Sequence, residues 1–289
     1  MNDDIKVADG EDITKKGLSN FDIQKNRDWA MLVALADGPM LATQIHSEFF
    51  KKPDGTLLPR QNLWERLRKL KEAGYIIQTT YSSIGRPRPL TAVMLDERGV
   101  VEVCNKFRID PETVIVNFPH NGVLTHELFV ASIKRTIRRD AGSKYDLVNM
   151  YNELMLKRQH QMTLHESRIG MASWEVKKNL RNYYIPDICV EVMPHIGNNM
   201  QRYFIEMDAG GKPAKYVQSK VSSWNDTITI VLTLNQDRLN KVIQSVSQSG
   251  RTQVTLFALV GDFIKKGLSD TSFILWPSDR HGTYVKLKL

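Results

Sequence analysis

The stretch from Ile185 to Lys220 constrains the fold most. It holds two short apolar runs, 188–192 and 203–205, bounded by Pro186 and by the polar Gly197-Asn198-Asn199 segment. Such runs read as β-strands, and the turn residues between them predict a hairpin across 195–200. Asp187 opens the first run, and Glu206 and Asp208 close the second. Side chains alternate along a strand, so Glu206 and Asp208 share a face. The hairpin brings Asp187 alongside them. Converging carboxylates repel, and each raises the pKa of the next. A hard divalent cation, Mg²⁺ or Mn²⁺, relieves that repulsion through oxygen ligands. Asp187, Glu206 and Asp208 are therefore candidate metal ligands and catalytic residues.

The chain around the hairpin, 289 residues with 42% apolar content, is long enough for two separate cores. Its net charge of +8 favours an anionic partner, nucleic acid or a membrane surface. No apolar run reaches transmembrane length, and the acidic N-terminus carries no apolar signal region, so a cytoplasmic protein with no membrane partner is expected. Cys104 and Cys189 lie in separate apolar runs. Without zinc spacing or a disulfide framework they read as buried free thiols in a reducing compartment.

Residues 1–20 are polar and read as a mobile tail. Helical periodicity then predicts helices over 21–35, 41–50 and 60–73, the first stopped by Asp37-Gly38-Pro39 and the third closed by Gly74. The third helix has an apolar stripe, Leu63, Leu67 and Leu70, and otherwise polar and basic faces. Two strands follow, 75–81 and 91–95, joined through Gly85-Arg86-Pro87-Arg88-Pro89. Three helices and a two-stranded wing make a winged helix-turn-helix, whose third helix enters the major groove. Arg60, Gln61, Glu65 and Arg68 are candidates to read base edges, with Lys69 beside them. Arg86 and Arg88, stiffened by prolines and with no packing use between strands, are candidate phosphate or minor-groove contacts. A short helix over 96–107 packs back on the wing, and the two prolines and glycine of 108–122 read as an interdomain connection.

The second half alternates helices and strands: a helix over 124–140, a strand over 145–150 and the hairpin. A basic helix over 212–224 follows, then a strand (227–234), a helix (236–247), a strand (252–259) and edge strands at 273–276 and 284–287. That order fits a central sheet flanked by helices. Residues 154–182 are basic and read as an insertion that contacts DNA. Glu127 falls in the first turn of the helix over 124–140, where an acid is stabilised by the helix dipole.

Pro186-Asp187 followed by Glu206-Met207-Asp208 after an apolar strand resembles the restriction-endonuclease-like nuclease core. Asp208, standing where most members of that core carry Lys and followed by Gly210-Gly211 and a basic helix, resembles more narrowly the MobC/TraX-type plasmid relaxases and the related replication-relaxation proteins. The resemblance spans Phe21 to the C-terminus. It implies an α/β (α+β) fold, an N-terminal winged helix-turn-helix followed by a restriction-endonuclease-like mixed sheet flanked by helices. The domains would be 21–108 (winged helix), 109–122 (linker) and 123–289 (nicking domain). It implies metal-dependent nicking of double-stranded DNA, one strand at an origin of transfer, for conjugative mobilisation, with an accessory mobilisation protein and a type IV coupling protein as partners. It adds Glu153, near a strand end, as a catalytic candidate, Glu127 as an extra ligand, and His126 as a contact to phosphate or nucleophile. Lys220 or Lys215 would supply the cation that Asp208 displaces. Metal-activated water is the expected nucleophile, with Tyr183, Tyr184 or Tyr216 as the alternative. The seven histidines include no closely spaced pair of the rolling-circle relaxase kind. The competing expectation is a DNA-binding replication or transcription regulator with an inactive nuclease fold. An RNA-binding role lacks the aromatic stacking motif it needs.

Overall fold

The computed structural model describes residues 27–81, 89–114, 121–166, 184–195, 197, 199–224, 227–250, 253–277 and 283–289. The polar tail, the wing tip with Arg86 and Arg88, Tyr183 and the basic residues 167–182 lie outside the described residues.

The N-terminal part runs α1 (Arg27–Ala36), β1 (Met40–Leu41), α2 (Ala42–Phe49), α3 (Arg60–Glu72), β2 (Ile76–Tyr81), β3 (Leu90–Leu95) and α4 (Glu97–Phe107). It is the expected winged helix with one addition. The two-residue strand β1 pairs antiparallel with β3, giving the order β1-β3-β2. Two residues are too few to show an alternation, so periodicity misses it. The α3 stripe Leu63, Leu67 and Leu70 is buried against Met31, Leu32, Leu35 and Ile45. Each such leucine contributes about 1.5–3 kcal/mol. Arg66 of α3 reaches Asp28 of α1, which is fully buried. The Asp96 carboxylate accepts from the Glu97 amide at 2.8 Å and starts α4. Gly99 admits the close approach of α4 to the wing, for a Cβ there would lie 2.0 Å from the Tyr75 carbonyl oxygen.

The second part runs α5 (Asn121–Asp140), β4 (Tyr145–Asn152), α6 (Glu153–Glu166), β5 (Ile188–Pro194), β6 (Gln201–Asp208), α7 (Ala214–Ser222), β7 (Ile228–Thr233), α8 (Gln236–Ser247), β8 (Thr255–Leu259), α9 (Val260–Lys266), β9 (Phe273–Trp276) and β10 (Tyr284–Val285). The strands form one mixed sheet in the order β10-β9-β8-β7-β6-β5-β4. Its centre, β6-β7-β8, is parallel, and both flanks are antiparallel. Parallel neighbours need crossovers, and α7 and α8 supply them. Val217, Val221, Leu239, Val242 and Val246 of these helices cover one sheet face with Val231 and Phe257. Ile133 and Ile137 of α5 and Phe263 of α9 cover the other with Ile188, Val190 and Ile205. Both cysteines are free and buried. Helix α9 is missing from the sequence reading, because seven residues following directly on a strand show no separate period.

One local expectation is corrected. Helix α5 starts at Asn121, so Glu127 lies beyond its first turn and gains little from the dipole. The first part of the expected insertion, up to Glu166, is helix α6.

Helix α5 also carries the winged helix. Gly38 adopts φ +132°, and a Cβ on it would come within 2.9 Å of the Ala131 Cβ. The Lys134 ammonium donates to the Asp37 carbonyl at 2.9 Å, and Arg138 donates to the Asp37 carboxylate at 3.0 Å. Gln44 donates to Ser132 at 3.2 Å, and Leu124 and Leu128 pack on Ala92 of the wing. Of the segment expected as a linker, 109–122, the described residues hold the 3-10 turn Pro111–Thr113 and the start of α5.

Candidate functional site

The hairpin forms as its turn residues predict. β5 and β6 pair antiparallel with Ile188 opposite Ile205, so Asp187 comes beside Glu206. The Met207 amide donates to Asp187 Oδ2 at 2.8 Å, which fixes the carboxylate. Alternation sends Met207 into the core and turns Glu206 and Asp208 to the other side. Asp187, Glu206, Asp208, Lys220 and Glu153 all line one cavity of about 320 Å³, together with His126, Glu127, Lys212 and Tyr216.

Of the two lysines weighed from sequence, Lys220 is the one brought to the carboxylates. Its ammonium donates to both Glu206 oxygens, at 2.7 and 2.6 Å, and lies 3.5 Å from Asp187 Oδ1. The signal was present: Lys220 falls in the buried stripe of α7 with Val217 and Val221, whereas Lys215 is exposed. His126 Nε2 sits 3.0 Å from Asp187 Oδ2, and its Nδ1 is 3.4 Å from Glu127.

The electrostatics divide the two buried acids. Burial, and then the nearby Asp187 charge, pushes Glu206 up to about 8. The Asp187 share of that rise is the mutual repulsion expected of converging carboxylates, and burial contributes the larger share. Asp187 goes the other way, a correction to that expectation. Burial alone would raise it, but the His126 hydrogen bond and charge, Lys220 and the Met207 amide hold it below its ordinary value. Burial disfavours the His126 imidazolium, yet Asp187 and Glu127 outweigh it and raise its pKa to about 10. Burial likewise opposes the Lys220 charge, and Asp187 and Glu206 overcome it and raise the pKa.

Asp208 is held apart from this cluster. Arg238 grips it through Nε to Oδ2 at 2.5 Å and Nη2 to Oδ1 at 3.1 Å, while the Gly210 amide donates to Oδ1 at 2.9 Å. Arg238 Nη2 also donates to the Lys212 carbonyl at 2.6 Å. Sequence reasoning missed Arg238. The available signal was its place in the first turn of α8, after the Asn235 cap, where the helix dipole disfavours a cation that lacks an acidic partner.

Among the described residues no group of three or more His, Cys, Asp or Glu side chains is gathered to hold a metal ion. Asp187 and Glu206 face a common buried ammonium, that of Lys220, and Mg²⁺ needs only one or two carboxylates besides water. Asp208 joins them only by releasing Arg238. Glu153, the first residue of α6, reaches the cavity and pairs with Lys157 at 2.6 Å. Tyr216 lines the cavity, with the Lys212 ammonium 4.0 Å from its ring centre. Tyr184 packs edge-on against Tyr216 at 5.9 Å, outside the lining.

On α3, Arg60, Gln61, Arg68 and Lys69 are all exposed. Gln61 donates to Glu65 at 3.1 Å and Arg68 to Glu72 at 2.8 Å. Among the described residues no helix is long and apolar enough to cross a membrane.

No protein-family model matches the chain, and no curated protein matches it. Among solved structures, Bacillus subtilis PadR in complex with operator DNA aligns with 54% of this chain and 91% of its own, at 15% identity and a TM-score of 0.23. A TM-score that low carries no inference about either part of the chain.

Proposed function

We propose that the protein is a metal-dependent DNA-nicking enzyme of the relaxase type. The winged helix would select an origin of transfer on a plasmid or mobile element, and the sheet domain would cut one strand. The observation that carries this reading is the buried Asp187–Glu206–Lys220 cluster at the end of the hairpin. It lies in a cavity lined also by α5, the helix on which the winged helix rests. An accessory mobilisation protein and a type IV coupling protein are the partners that such an activity calls for.

Asp187 and Glu206 would hold Mg²⁺ or Mn²⁺. That cation would relieve charge on the phosphorane and lower the pKa of an attacking water. The protein's own groups do the rest. Lys220 keeps two buried acids together at a tolerable cost in repulsion. Asp187 orients His126 and keeps it charged, which sets a proton donor at the cavity wall for the leaving oxygen. Arg238, aimed by Asp208, is a second cation beside the same cavity. Water is favoured over tyrosine as nucleophile.

One observation favours the other reading, a DNA-binding replication or transcription regulator with an inactive site. Asp187, Glu206 and Asp208 are each already paired with a cationic side chain. The deciding experiment uses supercoiled plasmid carrying duplex sequences that the protein enriches from a random pool. Nicking predicts relaxed circles with Mg²⁺ or Mn²⁺, none with EDTA, and none with Glu206→Ala. Binding without relaxation in any metal would establish the regulator.

A further inference from the structure

Two of the exposed stripes of helix α3 are opposite in character. Gln61, Glu65, Arg68 and Glu72 form one, and it is neutralised from within: Gln61 bonds Glu65, and Arg68 bonds Glu72. Its two acids oppose a phosphate backbone. Arg60, Trp64 and Lys71 fall on the adjoining flank, since residues four and seven apart on a helix lie on one side. No ion pair engages Arg60 or Lys71 among the described residues. Trp64 is 45% exposed and outside the winged-helix core, although Leu63 and Leu67 on either side of it are buried. An exposed indole between two cations has the composition of a binding anchor, for Trp and Arg are the residues enriched where a partner is held most tightly.

We propose that Trp64, flanked by Arg60 and Lys71, is the specificity-determining side chain of α3. The partner is duplex DNA, to which the two cations are complementary. The indole takes the one apolar group that the major groove offers, the thymine 5-methyl. Arg60 and Lys71 hold phosphate or base edges on either side, and the Gln61–Glu65 stripe faces away from the reading contact. This inference rests on the DNA-binding reading proposed above, and goes beyond it in naming the residue and the base.

The test uses full-length protein and duplexes enriched by it from a randomised pool, followed by fluorescence anisotropy. Trp64→Ala is expected to weaken the enriched duplex by about fourfold or more, the worth of at least one methyl group buried against the indole. Affinity for a scrambled duplex should be nearly unchanged, because phosphate contacts carry no sequence. Replacing thymine by uracil at one position should weaken wild type and leave Trp64→Ala indifferent, while Trp64→Phe keeps part of the effect. An unchanged melting temperature of Trp64→Ala confirms that folding is intact. Equal losses on enriched and scrambled duplexes, or a uracil penalty identical in both proteins, would overturn the inference while leaving DNA binding standing. Failure of wild type to enrich any duplex would overturn both.

Discussion

Lys220→Met tests the centre of the site. The substitution keeps the aliphatic stem and removes the ammonium that lies 2.6 and 2.7 Å from the Glu206 oxygens. Removing one partner of a buried ion pair costs about 3–5 kcal/mol. The low end applies here, for two reasons. Asp187 keeps His126 and the Met207 amide, and Glu206, already raised to about 8, escapes its unpaired charge by taking a proton near neutrality. A loss of about 3 kcal/mol corresponds to roughly 6–12 °C in melting temperature for a domain of this size. The assay is thermal unfolding by circular dichroism at pH 7 in EDTA. Glu206→Gln on the same background should recover most of the loss, because the orphaned carboxylate is gone. Mg²⁺ or Mn²⁺ should stabilise Lys220→Met, whose two carboxylates keep no ammonium between them, by about 2.7 kcal/mol at a hundredfold excess over the variant's Kd. A single variant melting within about 2 °C of wild type, less than 1 kcal/mol at this size, would refute the reasoning. So would a double variant showing the sum of the two losses.

Alanine at Asp187, Glu206 or Asp208 should each abolish nicking while gel-shift binding of duplex is preserved; full turnover in any one removes that residue from the site. If Asp208 acts by holding Arg238, Arg238→Ala reproduces the Asp208→Ala defect, and an active Arg238→Ala separates the two. In metal-free protein the His126 ring should titrate by NMR near 10 rather than near its ordinary 6.5, and Asp187→Asn should bring it down. Because the folded value is the higher one, His126 contributes stability fully below pH 6.5 and loses it as pH rises toward 10. Unfolding free energies should show that fall up to about pH 10 in wild type, and in His126→Gln only the part that Glu206 contributes below about pH 8. Asp37→Ala leaves Lys134 buried against Arg138 at the seam and should cost about 3–5 kcal/mol in urea unfolding. Adding Lys134→Met should return part of it, and an unaffected Asp37→Ala would mean the seam is held by packing alone.

The sequence by itself determined what repeats over short distances. Period-two alternation put Glu206 and Asp208 on one side of β6, and the Gly-Asn turn set the hairpin that brings Asp187 to them. A helical stripe, Leu63, Leu67 and Leu70, fixed which faces of α3 stay in water, and with the paired strands it gave the winged helix. These follow from local backbone geometry, which a chain carries wherever it folds. The charges that neutralise the acids were decided only when distant segments met. His126 reaches Asp187 across 61 residues, Arg238 reaches Asp208 across 30, and Arg138 reaches Asp37 across 101. Asp187 is therefore held low although the hairpin alone would raise it. Asp208, which alternation groups with Glu206, is tied instead to a helix on the far side of β7. The physical reason is that a buried carboxylate takes whichever cation the tertiary packing delivers, and spacing along the chain says nothing about which one that will be.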